Sequence, residues 1–113
     1  MEIKNMTINI AIELLQKSKF DTDAEATDYA DYLAGQVDLK EYGQVDLKES
    51  DLTYCKHAHA LECLRLDALE NEMKKTDPYS EEWEKMAADW TYCSTRIIAF
   101  TWLYHALSHY ERR

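Results

Sequence analysis

Glycine and proline are nearly absent from this chain: Gly35, Gly43 and Pro78 are the whole complement in 113 residues. Tight turns draw on those two residue types, so their scarcity excludes a turn-rich β fold and leaves helices. No run approaches the roughly 18 apolar residues of a membrane span. The opening Met1-Glu2-Ile3-Lys4-Asn5 lacks the basic start and apolar stretch of a signal peptide. Three cysteines, an odd number without a secretion signal, fit free thiols in a reducing compartment. A cytoplasmic protein is therefore expected, with no membrane association. The signatures of catalysis are missing too: there is no glycine-rich phosphate loop, nucleophile elbow, HExxH or CxxC. The expectation is a protein that is not an enzyme and carries no cofactor.

What the chain does have is acid. It holds 22 acidic against 13 basic residues, a net charge of −9. Between residues 20 and 51 stand Asp21, Asp23, Glu25, Asp28, Asp31, Asp38, Glu41, Asp46, Glu49 and Asp51, opposed only by Lys40 and Lys48, a local charge of −8. A field this concentrated attracts basic surfaces and repels nucleic acid and anionic membranes. Hydrophobic residues nevertheless make up 46% and aromatics 12%, enough for a packed core rather than a disordered polyanion. A chain of this length builds one such core without metal or disulfide staples, so residues 1–113 read as a single domain.

The fold class expected is all-α, a four-helix arrangement with two shorter N-terminal helices and two long antiparallel ones at about 50–76 and 80–112. Thr7 can cap the first helix ahead of Ile8, Ala11, Ile12 and Leu15. Asp21 or Thr22 can cap the second, whose apolar face is Ala26, Tyr29, Ala30 and Leu33 and which Gly35 should stop. The third, from Ser50 to about Thr76, shows a seam of Leu52, Cys55, His59, Cys63, Leu66, Leu69 and Met73, and Asp77-Pro78 breaks it. Ser80 caps the last, with Glu81, Glu82 and Glu84 in its positive first turn and Arg112-Arg113 at its negative end.

Two repeats interrupt this plan. Gly35-Gln-Val-Asp-Leu-Lys-Glu41 recurs identically as Gly43-Gln-Val-Asp-Leu-Lys-Glu49, which marks 35–49 as an insertion-tolerant acidic segment, either a short hairpin or an irregular loop. A fainter echo relates Asp51-Leu-Thr-Tyr-Cys55 to Asp89-Trp-Thr-Tyr-Cys93 across the two long helices. An old duplication and chance both account for it.

Cys55, His57, His59 and Cys63 invite a metal reading. On a helix Cys55, His59 and Cys63 share a face, but eight residues rise about 12 Å, too far for both cysteines to reach one zinc with bonds near 2.0–2.3 Å. Any site would need Cys93, or His105 and His109, to complete an i, i+4 pair. Small residues filling a seam between helices is the simpler account, and no metal is expected.

The last helix is apolar on two sides. Trp83, Met86, Trp90, Cys93, Ile97, Phe100, Tyr104 and Leu107 form one face, expected to be core. Ile98, Trp102, His105 and His109 form the other, which serves either as more core or as the interface of a homodimer or partner.

The second helix carries the functional expectation. Asp21, Glu25, Asp28 and Asp31 fall three to four residues apart, which lines their carboxylates along one face at roughly 5–6 Å intervals. Tyr29, Tyr32 and Tyr42 add amphipathic contacts, and Asp38 and Asp46 add charge from the repeat. Such a face either keeps the protein soluble or imitates the anion row of a nucleic-acid strand. Small, strongly acidic helical proteins of this kind resemble in general character the phage-encoded inhibitors of host defence, anti-CRISPR and anti-restriction proteins, and the immunity proteins that neutralise nuclease toxins. The resemblance is one of size and composition over the whole chain, with no motif behind it. It implies an inhibitor that binds a basic protein or nucleoprotein complex, not nucleic acid directly, in the cytoplasm of a bacterial host. The alternative is a structural or regulatory helical homo-oligomer joined through Trp102 and its neighbours.

Overall fold

The computed structural model describes residues 6–37 and 52–110, with the side chains of His109 and Tyr110 left out. It is all-α: helix α1 spans Ile8–Gln16, α2 Asp23–Gln36, α3 Thr53–Lys75 and α4 Glu81–Tyr110. The only extended pairing among the described residues is one parallel bridge between Met6 and Val37. It ties the lead-in of α1 to the exit of α2.

Three of the four helices start at a side-chain cap, while α3 starts behind Leu52 without one. Thr7 Oγ1 accepts the Ile10 amide at 3.2 Å, Thr22 Oγ1 the Glu25 amide at 3.2 Å, and Ser80 Oγ the Trp83 amide at 3.2 Å. Each satisfies one amide that an α-helix leaves unpaired in its first turn. Thr22 is thus the cap of α2, and Asp21 stands one residue outside the helix, its amide donating to Glu25 Oε2 at 3.3 Å. Gly35 does not stop the helix as expected. The main chain runs through it to Gln36, and Val37 is the cap, in extended conformation. An α2 stabilised by packing at Ala26, Ala30 and Leu33 tolerates the weak helix propensity of one glycine. Helix α3 begins at Thr53 behind Leu52, while Ser50 and the greater part of the heptapeptide repeat lie outside the described residues.

Cross-helix hydrogen bonds give the directions. Cys55 Sγ donates to the Phe100 carbonyl at 3.5 Å, Cys93 Sγ to the Glu62 carbonyl at 3.0 Å, and Trp90 Nε1 to Glu70 Oε1 at 3.1 Å. Partners on α4 move backward as α3 advances, so the two long helices are antiparallel. At the other side Arg96 donates to the Ser18 carbonyl at 3.0 Å, Thr95 to the Phe20 carbonyl at 3.0 Å and Trp102 to Asp31 at 2.6 Å. Helix α2 therefore runs parallel to α4. Helix α4 is the shared element, buried on one flank at Cys93, Phe100 and Leu107 and on the next at Thr95, Ala99 and Leu103.

Of the described residues, every buried one lies in 6–62 or 93–107. The stretch from Cys63 to Tyr92 is a hairpin arm built from the distal halves of α3 and α4. Leu66, Leu69, Met73, Trp83, Met86 and Trp90 are only half-covered there. The arm explains the elongated shape, 54 × 29 × 19 Å.

Candidate functional site

The sequence places four carboxylates on α2, and the structure leaves all four outside. Asp21, Glu25, Asp28 and Asp31 are exposed, and Asp23 with them. No basic residue occurs between Phe20 and Val37. The opposite face of α2 is the reason: Ala26, Ala30 and Leu33 are fully buried against the core, so the 3.6-residue period turns the acidic positions to solvent.

The tyrosines divide. Tyr29 is half-buried and packs against the core, its ring 5.7 Å from Phe20 and 6.2 Å from Tyr32 in a stacked arrangement with 17° between planes. Tyr32 is 47% exposed and remains available to a partner. Asp38, Tyr42 and Asp46 lie outside the described residues.

Trp102 joins this surface, which the sequence pattern did not reveal. It is 45% exposed, and its indole N–H donates to Asp31 Oδ1 at 2.6 Å. The bond crosses 71 residues of sequence, so periodicity within either helix carries no sign of it. Its neighbours in the expected oligomer face, Ile98 and His105, are half-buried and exposed respectively. The His109 side chain lies outside the described set. The second buried flank of α4 is instead Thr95, Ala99 and Leu103. The Trp102–Asp31 bond thus joins the acidic face of α2 to α4.

A second cluster sits in the interior. Glu62 is buried in the middle of α3, where the seam read from sequence ran through Cys63. Cys63 is half-buried beside it, with Sγ 3.8 Å from His59 Nδ1. Glu62 Oε2 accepts the Cys93 thiol at 3.1 Å and lies 3.2 Å from Arg96 Nε, while Oε1 accepts from Arg65 at 3.0 Å. The Arg96 Nε–H is not aimed at the carboxylate and makes no hydrogen bond, so that attraction is coulombic; its terminal nitrogen holds the Ser18 carbonyl instead. Burial pushes the Cys93 thiol up to about 12, with the Glu62 hydrogen bond and charge adding to the rise and Arg96 opposing it. Burial alone pushes Cys55 up to about 12. Both are held as thiols, and the thiolate is the nucleophilic form. Cys55 and Cys93, the equivalent positions of the fainter repeat, each donate to a main-chain carbonyl of the facing helix.

No group of three or more His, Cys, Asp or Glu side chains that could hold a metal occurs among the described residues. Cys93, named from spacing as a partner for a metal pair, directs its sulfur at Glu62. A cleft of about 260 Å³ opens between α3 and α4, lined by Cys55, Lys56, His59, Phe100, Thr101 and Tyr104. Among the described residues no helix is long and apolar enough to cross a membrane. Comparison with known protein families, curated proteins and solved structures finds no match to the chain.

Proposed function

We propose that this protein is a non-enzymatic acidic inhibitor that occupies the nucleic-acid groove of a basic protein or nucleoprotein complex. One observation carries the reading: every charged residue of α2 is acidic and exposed, with no cation among them, and the exposed aromatics Tyr32 and Trp102 stand beside Asp31 in sequence and by hydrogen bond respectively. Regularly spaced anions on a rigid rod present a basic groove with what a nucleic-acid strand presents, and aromatic residues are common anchors of protein interfaces. The two buried thiols, Cys55 and Cys93, are held protonated, which supports a packing role for them rather than a nucleophilic one. Anti-CRISPR, anti-restriction and toxin-neutralising proteins share this logic and differ in the basic protein that they engage.

The test needs the partner recovered from host lysate. Its association rate with the wild-type chain should fall steeply as salt rises, because exposed charges are screened beyond about 8–10 Å. The quadruple variant Asp21→Asn, Glu25→Gln, Asp28→Asn, Asp31→Asn should stay folded and bind weakly. Undiminished affinity in that variant rejects charge mimicry.

A further inference from the structure

Helix α3 carries a second apolar line, opposite the side that meets α4 at Cys55 and Glu62. Tyr54, His57, Leu61, Leu64, Ala68 and Asn71 succeed one another at alternating steps of three and four residues, and all six are exposed. Leu61 and Leu64 are the only leucines exposed among the described residues, at 51% and 65%, and Tyr54 is 62% exposed. Seven-residue spacing of this kind is the seam along which two helices pack knobs into holes. Over about two and a half repeats it drifts by only about 50° around a straight helix, so it stays on one face. The helix is also electrically balanced: Lys56, Arg65, Lys74 and Lys75 offset Glu62, Asp67, Glu70 and Glu72. Of the four helices α3 alone has equal numbers of acids and bases, in a chain of net charge −9.

We infer that this seam is the interface of a homodimer, in which α3 of one copy packs antiparallel against α3 of a second. The inference is independent of the acidic-inhibitor reading and uses no residue of α2. Charge names the occupant. Two copies of so acidic a chain repel one another, and the balanced helix is where a second copy approaches without meeting a field of its own sign. The line is also its own complement. An antiparallel pair centred between Leu61 and Leu64 sets Leu61 against the second copy's Leu64, His57 against its Ala68 and Tyr54 against its Asn71. Both outer layers then join a large side chain to a smaller one. Arg65 and Asp67 flank the second copy's Ala58 and Ala60, so no like charges meet. A parallel pair would instead set Asp67 beside the second copy's Glu72 twice over, at the flanking positions that choose orientation. The footprint of residues 54–71 is about 25 Å long, small for a specific interface, so the dimer should dissociate on the order of 10 µM.

Sedimentation equilibrium of the full chain from about 1 to about 300 µM reads the association. The wild type should pass from monomer to dimer across that range. Leu61→Glu with Leu64→Glu should weaken the dimer at least about 100-fold, because interface cores are depleted of charge. Its circular dichroism should stay helical, since both positions are exposed. Ala68→Arg, which keeps both leucines and alters another exposed residue, should weaken the dimer as well and decides the matter if the double variant unfolds. Trp102→Glu should dimerise like the wild type. Orientation is read from a spin label at Asn71→Cys in a Cys63→Ala background, where the remaining cysteines are buried. The two labels should lie about 25 Å or more apart, the axial offset of an antiparallel pair. A wild type that stays monomeric at about 300 µM overturns the inference. So does a dimer that the α3 variants leave intact, and labels in near contact would make the pair parallel and overturn it too. The charge reading is decided separately, by the salt dependence of partner binding.

Discussion

The Cys93 thiol meets Glu62 twice, at its main-chain carbonyl at 3.0 Å and at its carboxylate at 3.1 Å, in the middle of the contact between α3 and α4. A buried carboxylate is stable only when its charge and lone pairs are answered. Here Arg65, Arg96 and Cys93 answer them, and Arg96 extends the connection to the Ser18 carbonyl between α1 and α2. One glutamate thus connects three parts of the fold.

Removing Arg96 should be severe. Arg96→Met leaves Glu62 buried with only the largely exposed Arg65 to answer its charge, and removes the donor to the Ser18 carbonyl, so a cost of about 3 kcal/mol is expected, the low end of the range for breaking a buried pair from one side. The double variant Glu62→Leu, Arg96→Met should recover most of that loss, because no uncompensated charge remains. Urea unfolding of the two variants checks this, and a double variant as unstable as the single one would refute it.

Alkaline pH should weaken the fold through the two buried thiols. Their folded values lie near 12 against an ordinary 9.0, so the unfolded chain releases these protons first. Stability from this source is present in full below pH 9.0 and is lost as pH rises toward 12. The variant Cys55→Ala, Cys93→Ala should show a shallower fall between those limits than the wild type in a series of denaturant melts. Identical slopes would place the alkaline sensitivity in other groups. Half-buried Cys63 should be the thiol that alkylating reagents reach first in the native protein.

Gly35→Ala should stabilise. The position is within a helix, is exposed and has open space where the methyl would sit. Alanine removes the entropic penalty of glycine there, worth about 0.5–1 kcal/mol. A rise in melting temperature is the expected result, and a fall would show that the main chain at 35 needs glycine's freedom.

Trp102→Glu separates a surface role from a core role. Trp102 is 45% exposed, so the variant should keep its helical circular dichroism and lose the bond to Asp31, with repulsion between the new carboxylate and Asp31 costing no more than about 1 kcal/mol. Sedimentation of wild type and variant then tests the homodimer alternative: a wild-type dimer converted to folded monomers would support it. A monomeric wild type would leave Trp102 to the partner surface.

Helix count and type, and the caps Thr7 and Ser80, were legible from residue pattern alone, because hydrophobic period and capping chemistry act over three to four neighbours; for α2 the pattern left Asp21 and Thr22 open and misplaced the stop at Gly35. Thr7, Thr22 and Ser80 cap where side-chain oxygens can reach a first-turn amide, and the two long helices turn at Asp77-Pro78 as the sterics of proline require. Exposure of the acidic row on α2 followed from the alanines and leucine opposite it. The tertiary structure alone decided that Glu62, not Cys63, occupies the centre of the α3 seam, since one residue of helical rotation depends on what α4 offers across the gap. Likewise it decided that α2 continues through Gly35, where packing at Leu33 and Val37 outweighs a weak propensity. It alone brought Trp102 to Asp31, because a contact between residues 71 apart exists only once α2 and α4 lie side by side.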